Sequence, residues 1–183
     1  ITDEPTFRQL FTQALEQAVE RVVKLTQGRR LAVPLSGGLD SRLILSLLKL
    51  AGASDVVAFT YGTAGSREAK ISQQVAQSLD VPWYFVELSE AKVRQAWQAE
   101  GGAFIRNAWA GASLPHYQDW YALRELTSTG VLPAGTVILP GHTIVGNLHG
   151  QELLDPKTPM SRKDWVELLA HQHLNLQGQQ DLV

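Results

Sequence analysis

At 183 residues, with 44% hydrophobic and 19% charged residues, the chain is long enough to bury a core in one domain without staples. A net charge of −2 and a pI near 6.2 give no electrostatic reason to expect nucleic acid or an anionic membrane as partner. The absence of cysteine excludes disulfides, thiolate-ligated zinc and a thiol nucleophile, and it agrees with a cytoplasmic location.

The first predicted element is an amphipathic helix over residues 5–27. Phe7, Leu10, Phe11, Ala14, Leu15, Ala18, Val22 and Leu25 recur at three- and four-residue steps, and Gly28 supplies a stop. Residues 31–35 read as a short apolar strand and 41–50 as a second helix, closed by Gly52. The run "VVAFTY" (56–61) is rich in β-branched and aromatic residues and reads as the next strand. A helix over 66–79 with Ser66 as N-cap, a strand "WYFVEL" (83–88) and a helix over 89–99 follow. Residues 101–115, opening on Gly101-Gly102, read as a looser stretch. Beyond them come a helix over 116–129, a fourth strand over 135–140, a glycine-bearing loop over 141–150, an irregular connector over 155–159 and a final helix over 162–173.

Strands separated by helices predict an α/β fold: three layers, a doubly wound and mostly parallel sheet, right-handed crossovers. Strands that are apolar throughout, rather than alternating, support burial on both faces. No apolar run approaches the ~20 residues that span a bilayer. The opening "ITDEPTFRQL" lacks the apolar core of a signal peptide. The chain reads as one domain over 1–183, and its missing initiating methionine and its "QGQQDLV" ending suggest a trimmed chain or a piece of a longer protein.

The chemistry is concentrated in "LAVPLSGGLDSRLILSLLKL", residues 31–50. Ser36-Gly37-Gly38-Leu39-Asp40-Ser41 lies between a buried strand and a helix. Glycines let the backbone curl and approach a ligand, and the following helix offers unpaired N–H groups and the positive end of its dipole. Ser36 and Ser41 add hydroxyl donors, so a phosphate is the natural guest. Asp40 would repel it unless a hard cation such as Mg²⁺ bridges carboxylate and phosphate. The plainer alternative is a turn in which Asp40 only caps the helix.

"VPLSGGLDSR" resembles the pyrophosphate-binding loop, SGGxDS, of the N-type ATP pyrophosphatases. The leucine in SGGLDS and the later "VILPGHT" after a strand are most similar to the synthetase domain of asparagine synthetases. The succession "VVAFTYG", "SREAKISQQVAQSLDVP", "WYFVEL" follows the same pattern, so the likeness covers roughly residues 29–150. It implies an adenine nucleotide α-hydrolase-like fold with ATP across the C-terminal ends of the strands. On this likeness the pyrophosphate rests on Ser36, Gly37, Gly38, Leu39 and Ser41, with Mg²⁺ held by Asp40. The adenosine lies near Pro34, Leu35, Phe59, Tyr61 and Gly62, and Gly141, after the fourth strand, joins the nucleotide-binding set. A substrate carboxylate attacks the α-phosphorus, releasing pyrophosphate and leaving an acyl-adenylate. Ammonia or an amine donor then forms the amide. The family's glutaminase half uses a cysteine that this chain lacks, so ammonia would come free or from a separate glutaminase partner.

The pattern breaks after the fourth strand. His142 stands where an acid is usual, and Val145 where a metal-linked aspartate is expected. A valine cannot coordinate Mg²⁺, which leaves Asp40, phosphates and water, or another acid such as Asp119. His142, Arg67 and Asp119 form the candidate catalytic set. His142 follows the C-terminal end of a strand, where ligands gather. Arg67, with Glu68 and Lys70, opens the helix after the second strand, where solvated helix charge is the plainer reading. In "GASLPHYQDW", His116, Gln118 and Asp119 face an acceptor substrate on one reading and cap a helix on the other. A phosphate-loop kinase is excluded, since no Gly-Lys-Ser/Thr follows the glycines. Two rivals stay open: a nucleotide-binding domain that has lost its chemistry, favoured by Val145, and a tRNA-modifying pyrophosphatase, disfavoured by the missing basic surface and cysteines.

Overall fold

The computed structural model describes residues 3–109, 117–141 and 161–163. The chain divides into two compact units, residues 1–142 and 143–183, and the first holds all the elements below. They run α1 (Glu4–Leu25), β1 (Leu31–Pro34), α2 (Leu39–Leu50), β2 (Val56–Gly62), α3 (Arg67–Ser78), β3 (Trp83–Glu87), α4 (Glu90–Ala108), α5 (Trp120–Ser128) and β4 (Val137–Ile138). The predicted final helix, the connector before it and the loop over 142–150 lie outside the described residues, save Ser161, Arg162 and Lys163.

The sheet is wholly parallel, in the order β3-β2-β1-β4. Parallel neighbours cannot be joined by hairpins, so each connection carries a helix. Successive residues of a strand face opposite sides, and here both sides are buried. Leu31, Val33, Leu35, Val56 and Ala58 pack with Leu45 and Leu48 of α2 and Ala76 of α3; Val19 and Val23 of α1 join them. Ala32, Val57, Phe59 and Val86 pack on the other face with Ala96 of α4 and Trp120, Tyr121 and Leu126 of α5. The result is the three-layer α/β architecture that the strand–helix alternation predicts, with β1 and β2 buried on both faces as their unbroken apolar runs require.

Three local expectations need correction. The stretch after residue 100 is not loose: α4 continues through Gly101 and Gly102 to Ala108. The reason is Trp97, whose ring lies so close over Gly101 that a Cβ there would come within 2.6 Å of it. A glycine that looks like a helix stop is therefore a seat for an indole. The apolar stripe of α1 is only partly used: its C-terminal half meets the core, while Phe7 and Phe11, 52% and 54% exposed, stack on each other. The fourth strand is short, only Val137 and Ile138 pairing with Leu31 and Ala32.

Candidate functional site

Chain direction sets the place of the site. From β1 the chain moves outward to β2 and β3, then returns past β1 to form β4 on its other side. The crevice at the C-terminal ends of β1 and β4 is thus the switch point of the sheet, where open α/β folds receive ligands. A cavity of about 230 Å³ opens there, lined by the loop after β1, the end of β2 and the residues after β4.

The loop is anchored before it curls. Leu35 N–H donates to Phe59 carbonyl at 2.8 Å, adding one rung to the ladder. The Leu35 carbonyl accepts from the Thr60 hydroxyl at 2.7 Å and the Ser72 hydroxyl at 3.1 Å, both residues buried. Trp83 Nε1 donates in turn to Thr60 Oγ1 at 3.0 Å. One carbonyl thus ties the root of the loop to β2 and α3.

Beyond it, Ser36 N–H donates to Ser41 Oγ at 3.1 Å, the two hydroxyls share a hydrogen bond at 3.1 Å, and Gly38 N–H donates to Ser36 Oγ at 3.2 Å. Gly38 is the N-cap of α2, and no side chain caps that helix. Its first N–H groups and positive dipole end therefore face the cavity without a carboxylate cap of their own. Asp40 sits in the first turn of α2 and lines the cavity rather than capping the helix. Gly141 closes the opposite wall so tightly that a Cβ would lie 2.6 Å from the Ser41 backbone nitrogen. Beneath the loop, Arg42 Nη2 reaches the Gly37 carbonyl at 3.4 Å, while its buried Nε has no partner among the described residues.

Asp119 enters from α5. It occupies the N-cap position but makes no capping bond through its side chain; Tyr61 OH donates to its Oδ1 instead. Both residues line the cavity. Burial, first, and then the bond to Asp119 hold the Tyr61 phenol well above its ordinary range, with the Asp119 and Glu68 charges adding to the effect. Tyr61 is thus a neutral phenol whose proton is committed to Asp119.

Ten of the residues singled out from sequence line this cavity. Pro34, Leu35, Ser36, Gly38, Asp40 and Ser41 come from the first strand and its loop; Phe59 and Tyr61 come from β2, Asp119 from α5, and Gly141 from beyond β4. Four do not. Gly37 turns toward Glu68, its N–H donating to Oε1 at 3.3 Å; Leu39 is 75% exposed; Gly62 ends β2 beside Glu87; and Arg67 is exposed at the start of α3. His142, His116 and Val145 lie outside the described residues. Thr60 and Pro140 line the cavity without having been named from the sequence, and Glu68, named there only beside Arg67 as helix charge, lines it too. Glu68 was legible in one respect: it lies a turn before Ser72, a polar residue on the buried stripe Ala69–Ser72–Ala76.

Among the described lining residues Asp40, Glu68 and Asp119 are acids and none is basic. No group of three or more acidic or histidine side chains fit to hold a metal occurs among the described residues. Mg²⁺ fits such a site only as it usually binds, through one or two carboxylates with phosphate oxygens and water completing the shell. Of the three carboxylates, Asp40 lies in the first turn of α2, beside the uncapped helix end.

Fold and cavity together define a parallel α/β protein with a glycine-bearing loop and an uncapped helix end at its switch point. The family model described as asparagine synthase matches residues 10–117, and the chain belongs to that family of ATP-pyrophosphatase-type, amide-forming ligases. Among solved structures it is similar to the NH3-dependent NAD synthetase from Campylobacter jejuni subsp. jejuni NCTC 11168 in complex with the nitrate ion, at 21% identity, over 92% of this chain and 74% of that one, with a TM-score of 0.49. No curated protein matches the sequence.

Proposed function

We propose that this chain is an ATP-dependent ligase domain that binds Mg-ATP at the SGGLDS loop and adenylates a carboxylate for amide formation. The observation that carries the reading is the uncapped N-terminus of α2, set between Ser36, Ser41 and Asp40 at the switch point of the sheet. In this reading the backbone N–H groups at the start of α2 and the Ser36 and Ser41 hydroxyls hold the β- and γ-phosphates. Asp40 would hold Mg²⁺, which would supply charge neutralisation for the phosphates. The neutral Tyr61 phenol, fixed by Asp119, borders the space beside Phe59 and Leu35 where the nucleoside fits. Such a site works by positioning and charge stabilisation, so no covalent enzyme intermediate is needed. A small-molecule carboxylate attacks the α-phosphorus and pyrophosphate leaves; ammonia or an amine then attacks the acyl carbon of the resulting acyl-adenylate, and the amide forms as AMP and a proton are released. His142 stays a candidate catalytic residue, and Arg67, exposed at the start of α3, stays one only for reaching the phosphates.

Val145, where the pattern calls for an acid, favours a second reading, in which nucleotide is bound and no chemistry follows. Calorimetric titration with ATP, with and without Mg²⁺, followed by a screen of carboxylates for pyrophosphate release, decides between them. Magnesium-dependent binding with AMP and pyrophosphate as products upholds the ligase. Binding without turnover upholds the second reading, and no binding at millimolar ATP removes both.

A further inference from the structure

The N–H of Gly37 lies at the heart of the loop, yet it donates to a carboxylate of the chain itself, Glu68 Oε1 at 3.3 Å. The pairing is built in. Ser72, one turn after Glu68 on α3, is fully buried and bonded to the Leu35 carbonyl, which fixes that face of the helix toward the loop. Gly37 has no Cβ, and one added there would touch Glu68 Cγ at 3.6 Å, so glycine and glutamate are packed against each other.

We infer that Glu68 is a selectivity residue, which makes the loop discriminate against metal-free phosphate anions in favour of a polyphosphate already complexed to a divalent cation. This rests on the nucleotide-binding reading above. A bare polyphosphate entering the loop must take the Gly37 N–H from Glu68 and then sit among Glu68, Asp40 and Asp119, with no basic side chain among the described lining residues. Like charges around the loop oppose binding, though solvent screens the exposed Glu68 and Asp40, and a bound Mg²⁺ would offset that opposition. Discrimination of this kind keeps free phosphate and uncomplexed nucleotide out of a site that works on the metal complex.

The charge separates from the architecture in one substitution. Glu68→Gln keeps an oxygen to accept from Gly37 N–H and loses the negative charge. The test is calorimetric titration of ATP into wild type and E68Q, each in EDTA and in excess Mg²⁺. The expected result is that E68Q binds metal-free ATP about tenfold more tightly than wild type, shrinking the ratio of magnesium to metal-free affinity by that factor. An unchanged ratio overturns the inference while leaving magnesium-dependent binding, and so the ligase reading, intact. Absence of Mg-ATP binding to both proteins overturns the ligase reading and the selectivity with it.

Discussion

Single atoms settle much of this site. Tyr61 and Asp119 are 58 positions apart and meet through one hydrogen bond at the cavity wall. Tyr61→Phe removes the donor and leaves a buried carboxylate short of one partner, which should cost about 1–2 kcal/mol in chemical denaturation. The pH dependence follows from the raised phenol. Its contribution is fully present below the unfolded phenol value of about 10 and is lost as pH rises through the higher folded value. The stability gap between wild type and Y61F should therefore be level up to about pH 9 and close above pH 10. Gly141 is decided by space. A methyl group 2.6 Å from the Ser41 nitrogen and 2.8 Å from its Cα forces backbone apart. Gly141→Ala is expected to cost about 1–3 kcal/mol and to weaken ATP binding in the same preparation.

For the helices, the instructive case is α4. Glycine in a helix interior is unfavourable by about 0.5–1 kcal/mol against alanine, so Gly101→Ala looks stabilising on propensity alone. Trp97 reverses the expectation. Its ring occupies the space of the missing Cβ and meets Trp120 edge-on, with centroids 5.1 Å apart, and Phe104 at 6.3 Å. Aromatic pairs of this kind contribute about 0.5–1.5 kcal/mol, close to the propensity gain. G101A should therefore leave stability within about 1 kcal/mol of wild type while the indole is displaced. Near-UV circular dichroism and tryptophan fluorescence should change clearly; unchanged spectra would mean that Trp97 does not depend on the glycine. The uncapped start of α2 is the opposite case, a helix end whose local deficit is the functional feature.

For the first unit as a whole, the site is made by the sheet's change of direction, so ligand binding should hold β1, β4, α2 and α5 together. A ligand at 100 times its Kd stabilises by about 2.7 kcal/mol, or a Tm rise of roughly 5–10 °C for a protein of this size. That rise is expected with Mg-ATP and should largely vanish in Asp40→Asn or in EDTA. A D40N protein that keeps the full rise would show that the metal is held elsewhere, and differential scanning fluorimetry reads all the arms.

The sequence by itself determined the elements and the loop, because both rest on local rules. Unbroken apolar strands, helical periodicity and a Ser-Gly-Gly turn act over a few residues, and they yielded the α/β class and most lining residues of the first loop. Local reading failed where a distant partner decides. Gly101 resembles a stop until Trp97 is seen above it, and Phe7 and Phe11 resemble core until the packing of α1 shows only its second half engaged. Arg67 and Glu68 are adjacent, charged and both exposed, yet the orientation of α3, fixed by buried Ser72, turns Glu68 to the loop and leaves Arg67 off the cavity lining. Asp119 caps a helix by position and serves Tyr61 by contact. Pairings across 31 and 58 positions depend on which faces the sheet brings together, and that is a property of the packed layers, not of any short stretch of chain.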